Sequence, residues 1–222
     1  MQNDVSMSAR HMVRRALKGA LATLDAETGA PYASMVILAT DVSGAPLTLI
    51  STLARHTRNL TASSAASILI DTSNALGDAE SGGRISLMGK LVPTSDVNAR
   101  TRFLARHVSA AGYADFADFG FYRFEIASAH FIESFGRIVP LPASALGAPN
   151  SDLAAFAKAE PKLVTELQRH WPFVTGFDSE GVDVLANHQS IRLPFAGAAT
   201  TPDEAKTAAA NCLADYQPTP SA

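Results

Sequence analysis

The chain has 222 residues and a single cysteine, Cys212. One thiol excludes an intramolecular disulfide framework and a cysteine-built metal site. Such usage fits a reducing compartment, so a cytoplasmic location is the expectation. No apolar run reaches the length of a membrane span, and the polar stretch Met1–Ala9 lacks the apolar core of a signal peptide. Basic residues are not in excess: Lys and Arg number 18 against 21 Asp and Glu, a net charge of −3. That balance argues against nucleic acid as a partner. Neither Ser–His–Asp nor metal-ligand spacing is visible.

What is present is an ordinary globular composition, 47% hydrophobic and 18% charged, at a length that supports one large domain or one medium and one small. Met1–Ser6 reads as frayed, and apolar spacing predicts a helix over Met7–Leu17. Strand-like runs follow at Ala20–Leu24, Tyr32–Ala39 and Leu47–Ser51, separated by turn residues, and read as an antiparallel meander. A helix is expected over Arg55–Ser64 with Ser51 or Thr52 as its cap. Further strands are expected at Ser67–Asp71, Arg84–Val92 (interrupted at Gly89) and Gly120–Ser134, with a loop over Asn74–Gly83 and a helix from Ser95 to His107. At Gly89 the reading is either a β-bulge or the close approach of a ligand or a second backbone.

Six strands with one crossing helix indicate a closed antiparallel barrel rather than a doubly wound sheet. Pro140–Asn150 reads as a linker. Beyond it come a helix over Ser151–Trp171 broken at Pro161, three short strands with a hairpin turn at Asp178–Gly181, and a helix over Pro202–Tyr216. The expected domains are 1–145 and 150–222, the second a small α+β unit.

The segment Ser51–Leu60 is the most informative for chemistry. Hydroxyls, a guanidinium and an imidazole gather where a strand ends and a helix begins. Helix N-termini attract anions through free N–H groups, and arginine adds bidentate donors suited to phosphate. The alternative at this point is a surface helix with solvated arginines.

Taken in order, the segments resemble the flavin mononucleotide (FMN)-binding split barrel of the pyridoxamine-5′-phosphate-oxidase-like superfamily. The matching pieces are Gly-x-Pro-Tyr-x-Ser-x-Val over 29–36, Asp-x-x-Gly-x-Pro over 41–46, and Ser-x-Leu-Ala-Arg-His-Thr-x-Asn-Leu over 51–60. Ser-Ile-Leu-Ile over 67–70, Arg-Ile-Ser-Leu-x-Gly over 84–89 and Phe135-Gly136-Arg137 follow. The resemblance is nearest to the haem-utilisation-related subgroup, in which a split barrel precedes a small α+β domain.

That resemblance implies a six-stranded antiparallel split β-barrel that works as a homodimer with FMN at the interface. Carried across, Arg55, His56 and Thr57 hold the phosphate, and Ser51 and Thr52 sit beside ribityl or phosphate oxygens. The strand of Ser34, Met35 and Val36 meets the flavin, and Arg84 and Ser86 line the same groove from the other subunit. The implied function is an FMN-dependent oxidoreductase acting on an unidentified small molecule. The alternatives are a haem-binding protein on the same barrel and a non-catalytic flavin module. The strand 34–39 lacks the two basic residues of enzymes that oxidise pyridoxamine phosphate, so that reaction is not expected. Haem needs an axial ligand, for which His170 and His188 are the candidates.

Overall fold

The computed structural model describes residues 2–72, 82–134, 137–149, 152–186 and 189–216. Helix α1 (Gln2–Arg15) leads into β1 (Lys18–Leu24), β2 (Pro31–Ile37), β3 (Ala39–Thr40) and β4 (Pro46–Ser51). Helix α2 (Arg55–Ala62), β5 (Ala65–Asp71), β6 (Arg84–Pro93), α3 (Val97–Arg106), β7 (Phe119–Ser134) and β8 (Arg137–Pro142) complete the first part. One sheet holds all eight of these strands in the order β2-β1-β5-β6-β7-β4-β3, with β8 also paired to β7. The split barrel expected from the sequence is therefore present, with short β3 and β8 added to the six expected strands.

Closure depends on one bend. The chain from Pro31 to Thr40 leaves one edge of the sheet as β2 and joins the other edge as β3. Leu38, between them, is buried; its N–H donates to the Leu17 carbonyl (2.9 Å), and its own carbonyl accepts from His107 Nε2 (2.8 Å). The expected meander is corrected here: β4 pairs with β7, not with β2. Short turns joined those strands in sequence, but the bend at Leu38 sends β4 across the barrel.

Alternation along the strands fills the interior. Leu21, Ile68, Ile85, Leu87, Phe124 and Phe131 point inward, and Val5, Ala9 and Val13 of α1 pack on the same core. The spacing of those three, four residues apart, gives α1 one apolar face. Val5 thereby contradicts the expectation that Met1–Ser6 is frayed. At Gly89 the β6–β7 register shifts, and a Cβ there would lie 2.0 Å from the Glu125 carbonyl oxygen. The bulge needs glycine because a neighbouring backbone occupies the side-chain position.

Four local expectations change. Ala54, not Ser51 or Thr52, occupies the N-cap of α2, and Asp96, not Ser95, caps α3 through the Asn98 N–H. Most of the expected Asn74–Gly83 loop lies outside the described residues. The supposed linker begins inside β8, and Leu141 and Leu146 are buried in the barrel core. Helix α4 (Leu153–Gln168) runs through Pro161 without a break. Proline removes the N–H that would reach the carbonyl four residues back. Here that carbonyl, on Ala157, accepts instead from Asn98 Nδ2 of α3 at 3.0 Å.

The second part follows with β9 (Val174–Asp178), β10 (Gly181–Ala186), β11 (Gln189–Pro194) and α5 (Pro202–Asp215). The three strands form an antiparallel sheet in the order β11-β10-β9. Phe156, Leu163, Phe177, Val184 and Leu213 make a core of its own beneath α4 and α5. Thr201 starts α5 with a reciprocal capping box to Glu204.

A buried ionic seam joins the two parts. Helix α1 presents Arg10 and Arg14, and α3 presents Arg102 and Arg106, each pair one turn apart. All four meet acids of the second part. Arg14 donates to Asp178 (2.7 Å), Arg10 to Glu180 (2.9 Å), Arg106 to Asp183 (3.3 Å), and Arg102 to Glu160 and the Phe177 carbonyl. Arg192 of β11 closes the set on Asp178 and Asp183. The turn read as an ordinary hairpin, Asp178-Ser179-Glu180-Gly181, is thus buried and carries much of this seam.

Burial alone would push the Asp178 carboxyl up, but Arg14, Arg192 and Arg102 outweigh it and hold it well below the usual carboxylate range. Its stabilisation is present above the unfolded value near 4 and is lost as pH falls. Asp178→Asn leaves buried guanidinium groups without their counter-charge and should cost about 3–5 kcal/mol in urea denaturation. The same variant should flatten the acid limb of the stability profile. Asn98→Ala should cost about 1–2 kcal/mol by orphaning the Ala157 carbonyl; a shift within error would show that water replaces the amide.

Candidate functional site

The first candidate surrounds the start of α2. Strand β4 ends at Ser51, whose hydroxyl donates to Asp118 Oδ2 (2.5 Å) and accepts the Leu53 N–H (3.0 Å). Thr57 is buried and its hydroxyl donates to the Ser51 carbonyl (2.6 Å). Thr52 is exposed, with its N–H on the Asp118 carbonyl (2.7 Å). Asn59 fixes the helix to β1 by donating to Thr23 Oγ1 (3.0 Å) and accepting the Ala26 N–H (3.1 Å). Because Ala54 supplies no side-chain cap, the first-turn N–H groups of Arg55 and His56 have no acceptor within the helix.

Ser34 of β2 joins this cluster: its hydroxyl lies 3.0 Å from His56 Nδ1. Burial lowers the His56 pKa and favours the neutral ring. Arg55 turns away from the helix axis. Its Nε and Nη2 both lie 2.8 Å from Asp25 Oδ2, and the guanidinium sits 5.1 Å from the centre of the Tyr32 ring. The hydrogen bond from Arg55, then those from Thr28, hold Asp25 well below the usual carboxylate range.

Five of the predicted residues (Ser34, Ser51, Arg55, His56 and Thr57) therefore converge, with Thr52 on the rim. Part of their donor capacity is engaged, but His56 Nε2 is buried with no hydrogen-bond partner among the described residues, and the first-turn N–H groups stay open. Asp25 neutralises Arg55, and Asp118 holds Ser51. The imidazole is held neutral, and Thr57 donates to a carbonyl. A phosphate carrying nearly two charges would meet the half-exposed Arg55 guanidinium and the His56 ring on one side and two aspartates on the other. As arranged, the cluster keeps donors for a phosphate at His56 and the helix start, while Asp25 and Asp118 hold Arg55 and Ser51. Sequence reading missed both aspartates, although Asp25 sits at the turn before Gly29 and Asp118 in the acidic, aromatic segment before β7.

The second candidate is the outer face of the sheet. Cross-strand register sets Met35, Ala20, Leu69, Ser86 and His130 in one row. Ala33, Ala22, Ser67, Met88 and Ser128 form the next. Met35 is 65% exposed, Leu69 40% and Met88 36%, so the face is apolar and open. His130 is exposed and is the single titratable side chain in those two rows. Arg84 lies two residues beyond Ser86, on the same face of β6.

Register also separates the candidates. Lys90 pairs with Ala65 near the end of α2, whereas Arg84 pairs with Asp71 at the far end of β5. Within one chain Arg84 and Ser86 thus stand away from the α2 cluster. Val36 points into the core, so only its backbone borders the face. His170 is exposed just after α4, remote in sequence from both, and His188 lies outside the described residues.

A family model described as "CREG, beta-barrel" matches residues 1–145. The non-canonical heme oxygenase HOZ, chloroplastic, of Arabidopsis thaliana is 35% identical over 120 residues, 52% of this chain and 36% of the relative. The chain thus spans about a third of the length of that curated relative. Among solved structures, the protein Atu2129 of unknown function from Agrobacterium tumefaciens superposes with a TM-score of 0.78 at 21% identity, covering 94% of each chain. The heme binding protein from Mycobacterium smegmatis gives a TM-score of 0.61 at 24% identity, covering 94% of this chain and 95% of its own. These two likenesses show that the architecture extends over both parts of the molecule.

Asp25→Asn tests the neutralised cluster. Freed from its carboxylate, Arg55 should bind FMN about tenfold more tightly than in the wild type, measured by quenching of flavin fluorescence. Tight FMN binding by the wild type, unaffected by Asp25→Asn, would show that the aspartate does not block the site.

Proposed function

The chain belongs to the CREG β-barrel family, and from that premise we propose that it is a haem-binding protein that works as a homodimer. The observation that carries this reading is the outer face of the barrel, an open apolar strip whose central rows hold one titratable side chain, His130. A contiguous exposed apolar face marks an interaction site. Two copies placed face to face would bury Met35, Leu69 and Met88 and leave a flat slot between them, the shape a planar macrocycle requires.

The donor set of this face suits haem. Imidazole is a common axial ligand, and His130 carries one onto the face. Arg84, at the end of the same strand as Ser86 and Met88, is placed for a propionate, and the hydroxyls of Ser86 and Ser128 border the imidazole position. Haem supplies the iron redox chemistry when bound. The chain's own part is to ligate through His130, to hold the ring between apolar side chains and to exclude water from the seam. Similarity to the plant heme oxygenase over 120 residues supports the same reading.

FMN remains the second reading, favoured by the convergence of Ser34, Ser51, Arg55, His56 and Thr57 at a helix N-terminus. Asp25 and Asp118 weigh against it. An oxidoreductase role on an unidentified small molecule would follow only from that reading.

Hemin titration separates the two. Wild-type protein should develop a Soret band, and His130→Ala should weaken binding about tenfold or more with an altered band position. Leu69→Arg should give monomers by light scattering and lose the band. An unchanged spectrum and affinity in His130→Ala would overturn the assignment of the ligand, and a monomeric wild type would overturn the dimer.

A further inference from the structure

A cavity lies at the end of the barrel, away from the α2 cluster and at the border of the outer face. Helix α1 closes that end with its apolar face, Val5, Ala9 and Val13, turned into the core. The adjacent face carries His11, Met12 and Arg15, spaced by helical periodicity. Opposite it stand Leu17 and Lys18 at the start of β1 and Ile70 at the end of β5. Between them is an open cavity of about 720 Å³, within the size range of small-molecule sites.

Its chemistry is one-sided. Met12, Leu17 and Ile70 make the walls apolar. Arg15 and Lys18 are exposed at the cavity and have no ion-pair partner among the described residues. Asp71 is the one acid among the lining residues, and it is already engaged. Behind the cavity runs the ionic seam. Burial first, then Arg192, Arg10 and Arg14 against Glu180, lower the His11 pKa and leave the ring neutral. His11 makes no hydrogen bond among the described residues, so it retains an N–H for an incoming acceptor.

We propose that this cavity binds an anion with an apolar body, its carboxylate, sulfonate or phosphate held by Arg15 and Lys18 and its hydrocarbon or ring lying against Met12, Leu17 and Ile70. A hydrogen bond from the neutral His11 ring orients the acidic group. A cationic or uncharged amphiphile of the same length lacks the charge partner and binds more weakly. Lys18 and Asp71 lie two residues beyond Ala20 and Leu69 on the outer face, beside Arg84, but the site uses neither His130 nor the two central rows, so its test is read apart from the haem reading.

Calorimetric titration with decanoate, decanol and decylammonium tests this. Decanoate should bind at least about tenfold more tightly than the other two. The charge reversal Arg15→Glu with Lys18→Glu should abolish that preference, and Met12→Trp should remove binding by filling the cavity. Each variant is checked for the wild-type unfolding midpoint. Equal binding of all three amphiphiles would overturn the proposal, as would decanoate affinity unchanged in Met12→Trp. Because His130→Ala leaves this cavity intact, loss of decanoate binding in that variant would also contradict it.

Discussion

The buried seam of arginines and carboxylates between barrel and C-terminal sheet is the constraint on which the rest of the architecture depends. The two parts have largely separate apolar cores, with Val42 of the first packed into the second, so ions carry much of their contact. Removing several charges from water costs several kcal/mol each unless every partner is in place. Guanidinium groups bind in fixed planar geometry, so the seam tolerates few relative orientations. It also pins α1 to the barrel end, because Arg10 and Arg14 reach Glu180 and Asp178 from the side of α1 that faces the second part. Both the closed barrel end and the cavity beside it follow from that placement.

Much of the barrel was legible in the sequence because its strands alternate cleanly and its turns carry Gly, Asp and Pro. The seam was not. Arg10 with Arg14, and Arg102 with Arg106, are like-charge pairs one turn apart, which weaken an isolated helix by a few tenths of a kcal/mol. Such pairs ordinarily read as solvated faces. Their partners sit 58 or more residues away, and Asp178-Ser179-Glu180-Gly181 has the composition of an exposed turn. Only the tertiary arrangement turns those surplus charges into a buried lattice. Pro161 failed as a helix breaker for a comparable reason: its missing donor is replaced by Asn98, from an element that local pattern cannot place beside it.

The candidate site shows the same division. Helix position and residue type brought Ser34, Arg55, His56 and Thr57 together as expected. Their partners could not be read: Asp25 holds Arg55 and Asp118 holds Ser51, each distant in sequence and adjacent in space. A cluster that resembles a phosphate cradle by residue type holds two carboxylates beside its paired guanidinium. The outer face has the opposite history. Met35 was expected to meet the flavin, while Leu69, Met88 and His130 carried no assigned role. Register places all four on the open side.

The proposed ligand is planar, partly anionic and shared between two copies of the chain. A crystal structure of the hemin-loaded protein tests this most directly. The expected result is a dimer joined through the outer faces, with iron bonded to the His130 imidazole and the ring against Met35, Leu69 and Met88. Iron held by another side chain, or a dimer that leaves this face open to solvent, would contradict the account.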